Sequence, residues 1–299
     1  MMMPAAWVKW LRYRLLLPLG GVLSHSVAAR VIAALVRWDK YHQPGLQLGL
    51  QANMQRVLPL MNAAEAEQHA QQYLYRLVRE QVDVYEMWRY APPQPQIAIP
   101  VQGLDQLQRA RDAGQGVILV MAHYNRPIML AIGLAQAGFE IGMVTMRIDA
   151  SNPELDALDR HYLQKKVNDL QAIIGGPWVM QSDDFRTVYR YLSQAGIVII
   201  LLDAFQPNVR AKACYPFLGG QLHLARGIER IAQRTQSRLL YGVVHGQHSH
   251  DLSGELRPLP PEPTEALHQA VAELERDVLQ APGQWWQWNV LDALWEPKP

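Results

Sequence analysis

Residues 117–147 read VILVMAHYNRPIMLAIGLAQAGFEIGMVTMR, and their order decides the fold class. VILVMAH (117–123) is an apolar run of strand length, PIMLAIGLAQAG (127–138) is a helical stretch stopped by Gly138, and EIGMVTMR (140–147) is a second strand. Short, wholly apolar strands separated by helices belong to parallel sheets buried on both faces. The alternation continues outward. Residues 154–171 read as a helix, WVM (178–180) as a short strand, DDFRTVYRYLSQAG (183–196) as a helix and IVIILLD (197–203) as a buried strand. LARGIERIAQRT (224–235) is helical and RLLYGVVH (238–245) is another strand. The expected fold is α/β, with a mainly parallel central sheet covered by helices on both faces.

Upstream, residues 46–90 form a helical block. Asn62 is a fitting N-cap, positions 74, 77, 78, 82, 85 and 88 carry apolar or aromatic side chains at helical spacing, and Pro92, Pro93 and Pro95 end the block. RPLPPEPT (257–264) links the sheet to a last helix at 265–280. The expected organisation is an N-terminal segment, 1–45, followed by one α/β domain, 46–299.

In the N-terminal segment, Lys9, Arg12 and Arg14 precede an uncharged run from Leu15 to Ala29 that contains Pro18, Gly20, Gly21 and His25. That run falls short of the ~20 apolar residues a spanning helix needs. The apolar pattern continues through Val31, Ile32, Leu35 and Val36, and Trp7, Trp10, Tyr13 and Trp38 are residue types that settle at headgroup level. A helical contact with one face of a membrane is the expectation; a buried helical hairpin, a true span or a signal peptide are the alternatives.

Composition agrees with an apolar partner. Of 299 residues, 49% are hydrophobic and 18% charged, with nine tryptophans. Lys and Arg number 28 against 27 Asp and Glu, a balance too even for a grip on nucleic acid. The single cysteine, Cys214, excludes an internal disulfide and fits a reducing compartment.

Function in a parallel sheet lies beyond the carboxyl ends of the strands. His123 stands there, directly after VILVMA, and imidazole is the side chain whose ordinary pKa lets it accept a proton near neutrality. A satisfied, half-buried imidazole is the bland alternative. No G-x-S-x-G elbow is present. His245, His248 and His250 lack the accompanying ligands of a metal site, so none is expected.

Taken together these segments resemble the lysophospholipid acyltransferase superfamily, and within it the late (lauroyl/myristoyl) acyltransferases of lipid A biosynthesis. The resemblance is carried by LGLQANMQRVLP with RLVREQVDVYEMWR, by GQGVILVMAHYN, by VTMR (144–147), by LLDAFQP (201–207), by YPFLGGQLHLARGIERIAQRTQSRLLYGVV (215–244) and by PGQWWQW (282–288). It implies transfer of an acyl group from an acyl carrier protein or coenzyme A thioester, with no bound cofactor, to a hydroxyl or amine of a lipid or glycolipid acceptor. It implies a bacterial protein held peripherally on the cytoplasmic face of the inner membrane. The histidine would deprotonate the acceptor, oriented by an acidic residue five positions later.

Here that fifth position is Ile128. Either another carboxylate orients His123, Asp203 first and Asp149 second, or the chemistry differs, as for an amine acceptor or a carrier-bound aminoacyl group, or catalysis is lost and a lipid- or carrier-binding groove remains. Asp203 could equally cap the loop after its strand. The expected substrate-binding set is Asn125, Arg126, Arg147, Arg226 and Gly227. Guanidinium groups at the cleft suit phosphate, with surface salt bridges as the alternative. Gly227 would let a helix start beside a ligand, and Gly219 and Gly220 permit a tight turn or a close backbone approach. Met121, Met129, Met143 and Met146 suit an acyl groove or an ordinary core.

Overall fold

The computed structural model describes residues 5–23, 25–150, 152–153, 155–180, 183–204, 212–246, 248 and 251–298. The N-terminal segment holds α1 (Ala5–Leu11), a π-helical turn (Arg12–Leu16), α2 (Leu17–Val22) and α3 (His25–His42). The block expected at 46–90 divides into α4 (Pro44–Val57) and α5 (Ala63–Glu86). Asn62 caps α5 as expected: its side chain accepts the Glu65 N–H while the Glu65 carboxylate accepts the Asn62 N–H, a reciprocal capping box.

The α/β part runs β1 (Val101–Gln102), α6 (Leu104–Asp112), β2 (Val117–Met121), α7 (Ile128–Gln136), β3 (Ile141–Thr145), α8 (Ala157–Ile174), β4 (Gly175–Met180), α9 (Arg186–Ser193) and β5 (Ile197–Leu201). It continues with β6 (Lys212–Phe217), β7 (Gly220–Ala225), α10 (Gly227–Thr235), β8 (Arg238–His245), β9 (Ser253–Pro258), α11 (Pro263–Gln280), α12 (Leu291–Leu294) and β10 (Trp295–Pro297). The main sheet has the order β1-β9-β8-β2-β5-β3-β4. Its five expected strands, β8, β2, β5, β3 and β4, are all mutually parallel, and β9 adds antiparallel to β8. Every residue of β2 is buried. One face packs against α9, α10 and α11 and the other against α7 and α8, giving two apolar cores that α5 joins through Tyr73 and Leu74 on one side and Val84 on the other.

Two readings of the chain are corrected. Residues 224–225 close strand β7 instead of opening a helix, because Gly220–Ala225 alternates buried and half-buried residues with period two. With β6 and β10 this strand forms a second, antiparallel sheet. Leu218 and Gly219 turn the β6–β7 hairpin in the left-handed region, at φ 48° and 74°. Residues 257–258 belong to β9, so the Pro-rich linker is shorter than its composition suggests.

The N-terminal helices pack on the domain: Leu17, Ile32 and Leu35 bury against Val78 and Val82 of α5. Gly21 allows this approach, since a Cβ there would stand 2.3 Å from the Tyr85 Cβ. The opposite surface keeps Trp7, Trp10, Leu15, Val22 and Tyr41 exposed. Among the described residues no helix is long and apolar enough to cross a membrane.

Candidate active site

β2 and β5 are neighbours in register, with Met121 opposite Leu201 and the Leu202 N–H donating to the Met121 carbonyl at 2.8 Å. His123 and Asp203 each stand two residues beyond those partners, so pairing of the strands delivers the two side chains to one place. Asp203 is fully buried. Its Oδ1 accepts the His123 backbone N–H and the His123 Nδ1–H, both at 2.9 Å, and its Oδ2 accepts the Trp285 indole N–H at 2.9 Å.

An ionised carboxylate only accepts, so Nδ1 carries the proton in this pair. The Gln287 Nε2, 3.0 Å from Nδ1, therefore directs its N–H to the Asp203 carbonyl oxygen at 2.8 Å. With Nδ1 engaged, Nε2 is the nitrogen left with a lone pair, and it has no partner among the described residues. The His123 side chain is 26% exposed against 0% for Asp203. A buried acid thus braces an accessible imidazole, the geometry a general base needs.

The segment after α11 straps this loop. The Trp286 N–H donates to the His123 carbonyl at 2.8 Å, the Asn125 N–H to the Gln284 carbonyl at 2.9 Å, and the Trp286 indole to the Asn125 carbonyl at 2.9 Å. Trp285 and Trp288 are fully buried and meet edge to face at 5.0 Å. None of these roles could be read from the chain. PGQWWQW stands some 160 positions from His123, and beyond the resemblance it helps to carry, its signal is the density of tryptophan and glutamine.

The fifth position after the histidine, Ile128, is the first residue of α7, is buried, and lines the cavity beside His123. The place expected to hold an acid is apolar wall, and Asp203 reaches the imidazole from the neighbouring strand. Asp149, the second candidate, lies 3.5 Å from Arg147 on an exposed loop.

The expected substrate-binding residues separate. Gly227 lines the cavity at the start of α10. Arg226 is half-exposed and bound at both Nε and Nη2 to Glu229, at 2.9 Å each, which holds the Glu229 carboxyl below its ordinary value. Arg147 is half-exposed between cavity residues Met146 and Ile148. Asn125 is buried at φ 53°, its amide donating to the Val244 and Gly246 carbonyls at 3.0 Å. Arg126 is fully buried, facing inward instead of toward an anion in the cleft: its Nε and Nη2 grip Asp83 at 2.5 Å.

Asp83 also pairs with Arg79 at 2.9 Å, and Arg79 pairs with Glu86. Arg76, Arg79, Asp83 and Glu86 follow the 3-4-3 spacing of one helix face, a signal present in the sequence and overlooked there because charge is expected on the solvent side. Burial lowers the Arg76 pKa, with the nearby Arg126 charge adding to it.

A cavity of about 510 Å³ opens beside His123, within the range for small-molecule sites. Met143 and Met146 line it, whereas Met121 and Met129 are plain core. His245 pairs with Glu255 at 2.9 Å, and His250 lies outside the described residues. Among the described residues no group of ligands stands ready for a metal.

A histidine braced by a buried carboxylate thus stands at the carboxyl edge of a parallel sheet, beside a largely apolar cavity. The family profile for bacterial lipid A biosynthesis acyltransferases matches residues 1–289 of the chain. The chain belongs to that family, and it is an acyltransferase acting on lipid. A search of curated proteins gives no match.

Proposed function

We propose that the protein moves an acyl group from a thioester of acyl carrier protein or coenzyme A to a hydroxyl or amine of a lipid or glycolipid acceptor, with His123 as general base and Asp203 as its orienting acid. The observation that carries this is the 2.9 Å bond between His123 Nδ1 and Asp203 Oδ1, which leaves Nε2 to face the reaction. Nε2 takes the acceptor proton as the acceptor oxygen or nitrogen bonds to the thioester carbonyl carbon. The C–S bond breaks with its electron pair on sulfur, and the imidazolium returns the proton to the leaving thiolate.

Gly227, which lines the cavity, and Arg147 and Arg226, each next in the chain to lining residues, would meet the polar part of either substrate. The cytoplasmic face of the bacterial inner membrane is the proposed location, with the protein peripheral to it. Support comes from the exposed Trp7, Trp10, Val22 and Tyr41. The basic residues of that segment support it less, since Lys9 and Arg12 are engaged with Asp156, Asp159 and Asp39.

The experiment is turnover of both thioester classes by purified protein with a panel of lipid hydroxyl and amine acceptors. His123→Ala is expected to lose at least ~100-fold in transfer. Equal transfer by His123→Ala and wild type would overturn the mechanism.

A further inference from the structure

The antiparallel sheet of β6, β7 and β10 buries one face and shows the other, because successive side chains alternate. Tyr215, Phe217, Leu222, Leu224 and Trp295 turn into the core. On the outer face Cys214 of β6 lies directly opposite His223 of β7, and Glu296 of β10 lies opposite Gln221, two residues before His223. Pleat and register thus bring a thiol, an imidazole and a carboxylate together from three strands.

The Cys214 Sγ is 3.2 Å from His223 Nδ1. With the imidazole neutral, the thiol donates and Nδ1 accepts, so Nε2 carries the ring proton. Nε2 is shut off from water and lies 2.9 Å from Glu296 Oε1, at ion-pair distance but out of line for a hydrogen bond. Glu296 therefore acts by charge, favouring the imidazolium that forms when the thiol gives up its proton, and its 61% exposure weakens that help without removing it. Cys214 itself is exposed and is the chain's single cysteine. The next outward residue of β7, Ala225, stands ~7 Å further along the strand and lines the cavity beside His123. The thiol thus sits on the surface that leads to that cavity.

We propose that Cys214 is a site of S-acylation, its thiol activated by His223 and its acyl group supplied by the thioester that the cavity receives. This rests on the proposed thioester donor and adds an acceptor within the protein. His223 Nδ1 takes the thiol proton as Sγ bonds to the thioester carbonyl carbon. The donor C–S bond breaks with its electron pair on the donor sulfur, and the imidazolium returns the proton there. One thioester replaces another, so the step runs in both directions and excess free thiol reverses it.

The test is intact-mass measurement of the full chain after exposure to dodecanoyl-coenzyme A. Wild type is expected to gain one dodecanoyl group, which hydroxylamine at neutral pH and excess free coenzyme A both remove, and Cys214→Ser to gain none that hydroxylamine removes. A free thiol is only a few per cent thiolate at pH 7, so loss of the base in His223→Gln should slow the gain about tenfold. The same variant should slow alkylation of Cys214 by iodoacetamide about tenfold, a readout that needs no thioester site. His123→Ala, which loses transfer to lipid, should still label.

Wild-type protein that transfers to lipid acceptors yet gains no acyl group would overturn the proposal, even if a variant failed to fold, and would leave the proposed function standing. So would labelling or alkylation at an unchanged rate in folded His223→Gln, or labelling abolished in His123→Ala. If iodoacetamide separates wild type from His223→Gln but no thioester gives either transfer or labelling, the thioester reading of the cavity fails and S-acylation falls with it.

Discussion

Replacing Asp203 by asparagine keeps the size of the side chain and removes what the site uses. The carboxylate accepts three hydrogen bonds, two on Oδ1 from His123 and one on Oδ2 from Trp285. Asparagine has one acceptor oxygen. If that oxygen faces His123, its NH2 meets the Trp285 N–H, donor against donor, in a fully buried place. If it faces Trp285, the NH2 points at His123 Nδ1, which must then accept; the ring proton moves to Nε2 and the base is lost. In the first orientation the ring survives, but the imidazolium formed during transfer has no negative charge beside it.

Either way kcat is expected to fall ~10²–10⁴-fold, the usual span of a positioned acid or base. At ~1.4 kcal/mol per factor of ten this is ~3–5.5 kcal/mol of transition-state stabilisation. The frustrated Trp285 N–H adds ~1–3 kcal/mol of lost stability. Asp203 does not line the cavity, so KM is expected to stay within about twofold. Steady-state thioester turnover at saturating acceptor, with thermal unfolding in parallel, separates these effects. An Asp203 that only caps the loop through the His123 backbone N–H would lower Tm and leave kcat near wild type. That pattern would refute the dyad.

Arg126→Met removes the Nε and Nη2 grip on the buried Asp83 carboxylate and is expected to cost ~3–5 kcal/mol of stability with KM for donor and acceptor unchanged, because the guanidinium is sealed from the cavity. Unfolding curves and KM decide it; a raised KM at unaltered Tm would place Arg126 at the substrate after all. The clasp of α1 onto α8 is expected to respond to acid. Lys9, together with the backbone N–H groups at the α8 N-cap, depresses Asp156 to about 2 from an ordinary 3.8. A depressed carboxyl contributes stability above its unfolded pKa that is lost as pH falls through its folded one, here between 3.8 and about 2. Burial pulls Lys9 down, but its bonds to both carboxylates raise it overall, so the ammonium stays charged throughout that window. For this exposed pair the effect is under ~1 kcal/mol, and amide exchange in Ala5–Leu11, corrected for intrinsic rate, should rise across the window in wild type and be already raised in Lys9→Ala. Equal protection in both proteins at pH 6 would show that the clasp holds nothing.

The parts of the fold legible in the chain were those whose signal is local. VILVM and IVIIL are wholly apolar over strand length and IGMVT is apolar up to its last residue, and each folds as a parallel strand whose first three residues are buried. Asn62 with Glu65 announces the start of α5 in four residues. Elements with mixed signals were harder. The last two residues of the alternating Gly220–Ala225 read as the start of the helix they precede, and β9 carries only a weak run before its proline-rich flank. At the site, His123 could be found because it ends a strand, and Asp203 because it ends another. The inward turn of Arg126 could not, since a loop arginine next to a histidine reads equally as an anion hook.

By itself the sequence determined a parallel α/β sheet, the strand-end histidine, and the absence of an acid at Ile128. Those follow from hydrophobic period and side-chain chemistry, which neighbouring residues set among themselves. Only the tertiary structure decided that Asp203, 80 positions away, meets His123 Nδ1, that Trp285 and Gln287 hold the pair, and that Glu80 and Lys166 meet in the cavity wall. The physical reason is strand order. Which strand ends become neighbours is fixed by how the two faces of the sheet bury against their helices, a free energy summed over the whole chain and written in no single segment of it.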